Sequence, residues 1–361
     1  MEKTINDTRI KRLLSYPDLS RKDGSPIKFI VDKILQMPDF KGFDIIEVPE
    51  IVSTEYNFDL LNTPIDHPSR RETDTYYVDK EHVLRTHTTV MWPYYLFDKK
   101  NIEKLKERKW VGALCYGKVY RKDEIDRNHF PVFHQIDGLY ITDKSFKVIT
   151  LDDLKNVLIG IAKNIYGEGV EYRISVDSFP FTDPSAQLEI KRGEDWLEVV
   201  GCGLVHQKVL KNLGLDPEIY NGWAFGFGIE RLAMAKMNIP DIRIFWSTDE
   251  RITSQFKDLD SQFKEVSKYP MTYRDISFII DKNISLNNYY EIVRDCAGDL
   301  VEEVKMIDKY EDEKKFGKDK ISYTFRINYR SNERTLTNEE VNEIQEKIRE
   351  KTKEELGAIL R

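Results

Sequence analysis

The chain has 361 residues, 40% of them hydrophobic and 33% charged, with a formal net charge of −7. That length allows two domains with full cores, and the acidic balance excludes broad electrostatic capture of nucleic acid while leaving room for a local basic face. No stretch approaches the roughly 18 apolar residues of a membrane helix, and three distant cysteines without a CxxC pair give no zinc-site pattern and point to a reducing compartment.

The opening, Met1 to Ser20, mixes acidic and basic residues and has no apolar h-region, so no secretory signal is expected; its acidic residues also make it a poor transit peptide. Ser25-Pro26 starts a helix, because proline suits the first helical position and Ile27, Ile30, Val31, Ile34 and Leu35 follow at helical spacing. Residues 40–56 read as strand, with Phe43, Ile45, Ile46 and Val48. The middle, about 65–250, is rich in strand patterns and holds all six histidines and all five tryptophans, which marks it as the site-bearing region. Residues 250–267 read as a polar, partly helical linker.

The tail has its own rhythm. Ile276 to Ile280 reads as strand, Leu286 to Leu300 as helix, and Val301 to Tyr310 and Ile321 to Tyr329 as strands around the charged turn Glu311 to Lys320. Thr337 and Glu340 have the spacing of a capping box at the head of a long charged helix. Gly357 ends that helix, and Ala358 to Arg361 would be a last strand. The order βαββαβ is that of a ferredoxin-like domain. Phe325, Ile327 and Tyr329 alternate with Arg326, Asn328 and Arg330, so the first set is expected in the core and the second on an open sheet face suited to RNA.

The run from Gly117 to Gln135 carries Arg121 behind a strand-like segment, then a polar loop, then Phe133 and Gln135. It resembles motif 2 of class II aminoacyl-tRNA synthetases in the phenylalanine-specific version. Further segments are similar to the same family in chain order: His67-Pro68-Ser69-Arg70, Leu84-Arg85-Thr86-His87-Thr88-Thr89, Phe179-Pro180-Phe181-Thr182, Trp196 to Gly203, and Gly222 to Leu232, which looks like motif 3. Tyr269 to Phe278 resembles the start of the anticodon-binding domain fused to the organellar, single-chain form. The implied fold is α+β: an N-terminal helical segment (1–38), an antiparallel-sheet catalytic domain (39–250), a linker (251–267) and a ferredoxin-like anticodon-binding domain (268–361).

The resemblance implies a ligase that activates L-phenylalanine with ATP and transfers it to tRNA(Phe), working as a monomer without a second subunit, an editing domain or a membrane. It implies Arg121 on the α-phosphate, Arg231 on the γ-phosphate and against adenine, Phe133 on the other face of adenine, and Asp123 orienting that side. His129 would approach the phosphates, and Glu198, set between apolar neighbours, would hold ATP-bound Mg2+. His87, Thr89, Gln135 and Asp137 would hold the ammonium and carboxylate of phenylalanine; His87 with Thr89, and Gln135 with Asp137, alternate as they would on strands. Thr89 stands where the family usually has Ser, and Asp123 and Asp137 where it has Glu. Phe179 and Phe181, on one strand face, would grip the phenyl ring above a floor of Gly201 and Gly203, with Ala224 near its para carbon. Arg326, Asn328 and Arg330 would meet tRNA. A cytoplasmic location is expected, with an organelle matrix as the alternative. The competing readings are a non-catalytic tRNA-binding paralogue and a class II synthetase for another amino acid; Arg121 and Arg231 disfavour the first, Phe179 and Phe181 the second.

Overall fold

The structure is a computed structural model that describes residues 7–265 and 269–361. The end of the expected linker and the first residue of the expected tail domain lie outside the described residues, as does the start of the N-terminal segment. The chain forms two compact units, one of residues up to Tyr120 with Val132–Ile239 and Thr253–Phe263, the other of Arg121–Pro131, Pro240–Ile252 and Lys264–Arg361. The expected N-terminal helical segment therefore belongs to the first unit, and the loop Arg121–Pro131 clusters with the tail.

In the first unit, helices α1 (Thr8–Ser15) and α2 (Pro26–Leu35) precede the short strands β1 (Asp44–Ile46) and β2 (Ile51–Ser53). The Ser25 side chain accepts a hydrogen bond from the Ile27 N–H at 3.2 Å, and Pro26 occupies the first helical turn as its fixed φ favours. The strand expected over 40–56 is broken in two, because Pro49 lacks the N–H that a continuing ladder would need. Then come β3 (His82–Leu84), α3 (Met91–Leu96), α4 (Lys99–Arg108), the long hairpin β4 (Trp110–Tyr120) and β5 (Val132–Asp143), and α5 (Leu151–Tyr166). β6 (Tyr172–Phe179), β7 (Thr182–Arg192), β8 (Asp195–Val205), α6 (Gln207–Asn212), β9 (Tyr220–Gly228) and α7 (Ile229–Met237) complete it.

Seven strands form one sheet in the order β1-β4-β5-β9-β8-β7-β6, antiparallel except where β1 runs parallel to β4. Side chains alternate across it. On the back face, the rings of Trp110, Tyr140, Trp223, Phe225 and Phe227 follow one another at centroid spacings of 5.7, 5.5, 5.9 and 5.9 Å. On the front face, Val111, Ala113, Leu139, Ile141 and Ala224 are buried in a cluster with Met91, Trp92, Tyr95 and Leu96.

The second unit contains the short helix α8 (Glu250–Thr253, at its border) and the tail β10 (Thr272–Asp281), α9 (Leu286–Ala297), β11 (Val301–Tyr310), α10 (Glu313–Phe316), β12 (Lys320–Tyr329), α11 (Asn338–Leu356) and β13 (Ile359–Leu360). The sheet order β11-β12-β10-β13, with all pairs antiparallel, is the ferredoxin-like arrangement expected. Phe325, Ile327 and Tyr329 are fully buried with Phe278, Tyr289, Val341 and Ile348. Only half of the expected capping box forms: Thr337 accepts from the Glu340 N–H at 3.2 Å, but the Glu340 carboxylate turns to Arg334. The loop Arg121–Pro131 is held in this unit by Ile125, which is buried in the same core, by the Val304 N–H donating to the Ile125 carbonyl at 2.8 Å, and by Arg294, which donates to the Asp123 and Glu124 carbonyls.

Gly138 gives a direct test of the back face. A Cβ there would lie 2.4 Å from the Phe225 ring. Gly138→Ala is expected to destabilise the first unit by about 1–3 kcal/mol, the usual cost of overpacking, with partial recovery when Phe225→Leu is added; chemical denaturation of the three proteins measures this.

Candidate active site

Small residues leave a trough in the front face of the main sheet. The register sets Asp137 opposite Gly226 and Gly226 opposite Gly201, and in the next row Leu139, Ala224 and Gly203. Gln135 pairs with Gly228. Two central strands thus present almost no side chains between a polar wall on β5 and an aromatic wall at the turn between β6 and β7.

The polar wall is built around Asp137, which is 3% exposed. Thr88 Oγ1 donates to one carboxylate oxygen at 2.6 Å and Thr89 Oγ1 to the other at 2.5 Å. The Thr88 N–H also donates to Gln135 Oε1 at 3.3 Å. Gln135 and Asp137 share a face as expected. His87 and Thr89 do not alternate as on a strand, however: Thr88–Val90 is a turn of 3-10 helix, and its tighter winding brings consecutive hydroxyls to one carboxylate. Thr88 is therefore a site residue that the strand reading missed. Asn57, fully buried, fixes the approach of this turn by donating to Thr86 Oγ1 at 2.9 Å and accepting the Thr86 N–H at 3.2 Å.

The aromatic wall differs in detail from expectation. Phe179 ends β6 and Phe181 precedes β7, so the two rings flank a hairpin turn rather than one strand face. They lie parallel, 6.0 Å apart with 7° between planes. Phe181 meets Trp92 edge-on at 5.8 Å and His87 at 6.1 Å. Asn62 donates to the Pro180 carbonyl at 2.7 Å and so pins the turn between the rings. The glycine floor also has a different cause. A Cβ on Gly201 would lie 2.8 Å from Phe179, and one on Gly203 would lie 2.5 Å from Thr182 and 2.7 Å from the Pro184 carbonyl. These glycines make room for the protein's own aromatic turn. Ala224, 3% exposed, stays at the trough's inner end with Phe181 packed against the same cluster.

Phe133, Glu198 and Arg231 lie toward the other end of the sheet. Phe133 shares the Gln135 face, with its ring 3.9 Å from where a Gly228 Cβ would be. Glu198 is not buried among its apolar neighbours. A register shift between Leu188 and Glu189 on the neighbouring strand leaves Val199 and Val200 both inward, and the Glu198 side chain is 45% exposed. Arg231 reaches it, with Nη1 3.7 Å from Glu198 Oε2 and 3.4 Å from the Glu198 carbonyl. Among the described residues no group of three or more His, Cys, Asp or Glu side chains could hold a metal by themselves. Glu198 fits magnesium only as a single carboxylate beside phosphate oxygens, the usual way this ion is shared with a nucleotide.

Arg121, Asp123 and His129 lie on the loop that belongs to the second unit. The Arg121 N–H closes the loop's base on the Pro131 carbonyl at 3.2 Å. Asp123 takes the Glu124 N–H at 3.1 Å. His129 Nδ1 stands 2.9 Å from both oxygens of Asp126, and that hydrogen bond holds its pKa above the ordinary histidine value against the opposing effect of burial. On the tail, Arg326 makes a two-pronged pair with Asp275 at 2.8 Å and stacks on the Tyr273 ring at 3.9 Å. Asn328 is not on an open face: it is 8% exposed and donates to Glu303 at 2.8 Å. Arg330 is tied to the buried Glu302 at 2.9 Å. All three cysteines are free, and burial pushes the thiols of Cys115 and Cys202 up to about 12, so both stay protonated near neutrality.

Comparison with known proteins shows the family to which the chain belongs. Residues 14–256 match the family described as tRNA synthetases class II core domain (F), and residues 267–361 match the ferredoxin-fold anticodon binding domain. A phenylalanine–tRNA ligase of Arabidopsis thaliana, named chloroplastic/mitochondrial, is 44% identical over 359 residues, covering 95% of this chain and 80% of its own. The mitochondrial phenylalanine–tRNA ligase of Mus musculus is 39% identical over 342 residues, covering 84% and 72%. The alpha subunit of the Caldicellulosiruptor bescii phenylalanine–tRNA ligase is 41% identical over 229 residues, only 60% of this chain. The chain belongs to the class II phenylalanine–tRNA ligases, in the form that carries the synthetase core and the anticodon-binding domain on one polypeptide.

Proposed function

We propose that this protein joins the carboxylate of L-phenylalanine to the α-phosphorus of ATP, expelling pyrophosphate, and then transfers the phenylalanyl group to the 2′-hydroxyl of the terminal adenosine of tRNA(Phe). The observation that carries this reading is the glycine-floored trough between the Asp137 carboxylate and the parallel rings of Phe179 and Phe181. A trough with an anion at one wall and phenyl faces at the other suits an amino acid whose ammonium and benzyl group lie at opposite ends. Aromatic contacts add about 0.5–1.5 kcal/mol each beyond area burial.

The attacking carboxylate is already an anion, so the reaction needs no general base. The chain's task is to align two negative partners and offset charge on the phosphates. Gln135 and Asp137 hold the ammonium, and His87 with Thr88 and Thr89 fixes that wall. Arg121 takes the α-phosphate and Arg231 the γ-phosphate, since guanidinium stays charged and grips phosphate oxygens in pairs. Phe133 stacks on adenine, while Asp123 and His129 approach from the loop. Glu198 would be the protein carboxylate for ATP-bound magnesium, which would offset phosphate charge, and Arg231 would exchange its contact with Glu198 for the nucleotide. The fused tail binds the anticodon arm, with Tyr273 and Arg326 as the pair most suited to stacking on unpaired bases. The names of the relatives support an organelle matrix rather than the cytosol, and the fused architecture supports a monomer.

Incubating the purified chain with ATP, labelled pyrophosphate and each of the twenty amino acids tests the reaction. Exchange with phenylalanine is expected, with tyrosine weaker by about a hundredfold, the limit for an apolar pocket facing an added hydroxyl. No exchange, or exchange led by another amino acid, contradicts the reading. Ala224→Gly should extend exchange to para-chlorophenylalanine; no gain would remove Ala224 from the ring's para position. Gly226→Ala places a methyl against Asp137 and should raise KM for phenylalanine about tenfold or more, roughly 1.4 kcal/mol, with KM for ATP little changed. Arg326→Glu should weaken tRNA charging and spare pyrophosphate exchange; equal loss of both would indicate misfolding of the tail.

A further inference from the structure

His134 lies between Phe133 and Gln135 on β5 but faces the opposite side of the sheet, where it is fully buried. Its Nε2 accepts the Leu19 N–H at 2.9 Å. A ring nitrogen that accepts carries no proton, so the proton is on Nδ1, which donates to Glu230 Oε1 at 2.6 Å. The His134 backbone N–H donates to the same carboxylate, 3.0 and 2.9 Å from its two oxygens. Glu230 is 3% exposed, so these donors replace the water it has lost. Asp18 is also near, with Oδ1 3.4 Å from Nε2.

Glu230 stands in the first turn of α7, next to Arg231, and the Gly228 N-cap of that helix supplies no side-chain hydrogen bond. The start of the helix is thus fastened to β5 through Glu230 instead of through its own cap. We infer that His134 is a positioning residue for ATP binding: it ties the N-terminal segment at Leu19 to Glu230 and so fixes the helix start from which Arg231 projects. The N-terminal segment then supports the nucleotide site from behind the sheet. This inference rests on the reading of Arg231 as an ATP ligand.

Two conservative variants separate the ring nitrogens. Asparagine places its amide near the Nδ1 position and keeps the donor to Glu230; glutamine reaches the Nε2 position and keeps only the acceptor for Leu19. In pyrophosphate exchange with the full chain, His134→Gln is expected to raise KM for ATP about tenfold, with KM for phenylalanine within about twofold of the parent, and His134→Asn to raise KM for ATP at least threefold less than His134→Gln does. Equal KM for ATP in the two variants, an unchanged KM for ATP in His134→Gln, or an equal rise for both substrates overturns the inference. Should His134→Gln fail to fold by circular dichroism, Glu230→Gln, of nearly the same shape, takes its place with the same expected split. Arg231→Ala in the same assay separates the two readings. If it leaves KM for ATP unchanged, the ATP role of Arg231 fails; if it raises that KM while His134→Gln does not, only the positioning role fails.

Discussion

A single methyl group at residue 226 would lie 2.7 Å from one oxygen of Asp137 and 2.9 Å from the other oxygen and the carboxyl carbon. The site is arranged around that absent group. Asp137 keeps its place on the β5 side because β9 carries no side chain opposite it, and Thr88 and Thr89 then cover both carboxylate oxygens. On the far side, Gly201 does the same for Phe179. The trough is therefore a gap in a side-chain pattern, bounded by groups that the gap itself allows to sit low against the sheet. A buried carboxylate requires donors close at hand, and the two threonine hydroxyls supply them before any ligand arrives.

The same sheet separates two tasks by its faces. Residues on one side of β5 line the trough proposed to take the substrates, while their immediate neighbours in sequence hold the scaffold. His134 and the aromatic series from Trp110 to Phe227 lie behind, and Gln135 and Asp137 lie in front. Strand pleating makes this possible with no insertion in the chain, since alternate residues point in opposite directions. The fixed tautomer of His134 illustrates how closely the two faces are coupled: a backbone amide far away in the chain determines which nitrogen can serve Glu230.

Charge is handled locally throughout. The net charge is −7, and two of the candidate cations are each paired with an acid, Arg326 with Asp275 and Arg231 with Glu198. Such exposed pairs contribute little to stability. In the function proposed above, they hold a guanidinium in place until a phosphate or a base competes for it.

Much of this was legible in the sequence. The tail's βαββαβ order follows from its strand and helix patterns, and the shared face of Gln135 and Asp137 from strand pleating. The features that were not legible share a physical cause, which is geometry set by distant or irregular pairing. Glu198 lies in an apolar run that reads as buried, but a register shift turns it outward. Thr88 joined the site because a single 3-10 turn replaced the strand on which it would have faced away. Glu340 has the spacing of a capping partner and takes Arg334 instead. His134 and Glu230 are 96 residues apart, and no local pattern links them. The glycines of the trough are visible as glycines, but only the packed structure shows that Gly201 and Gly203 accommodate Phe179 and Thr182.

The most direct test is a crystal structure of the chain with a non-hydrolysable phenylalanyl-adenylate analogue. The ammonium is predicted to lie about 3 Å from the Asp137 carboxylate and Gln135 Oε1, with the benzyl group against Phe179 and Phe181 and the adenosine end beside Phe133 and Arg231. An analogue bound outside the glycine trough, or one seated with its benzyl group toward Asp137, would contradict the account.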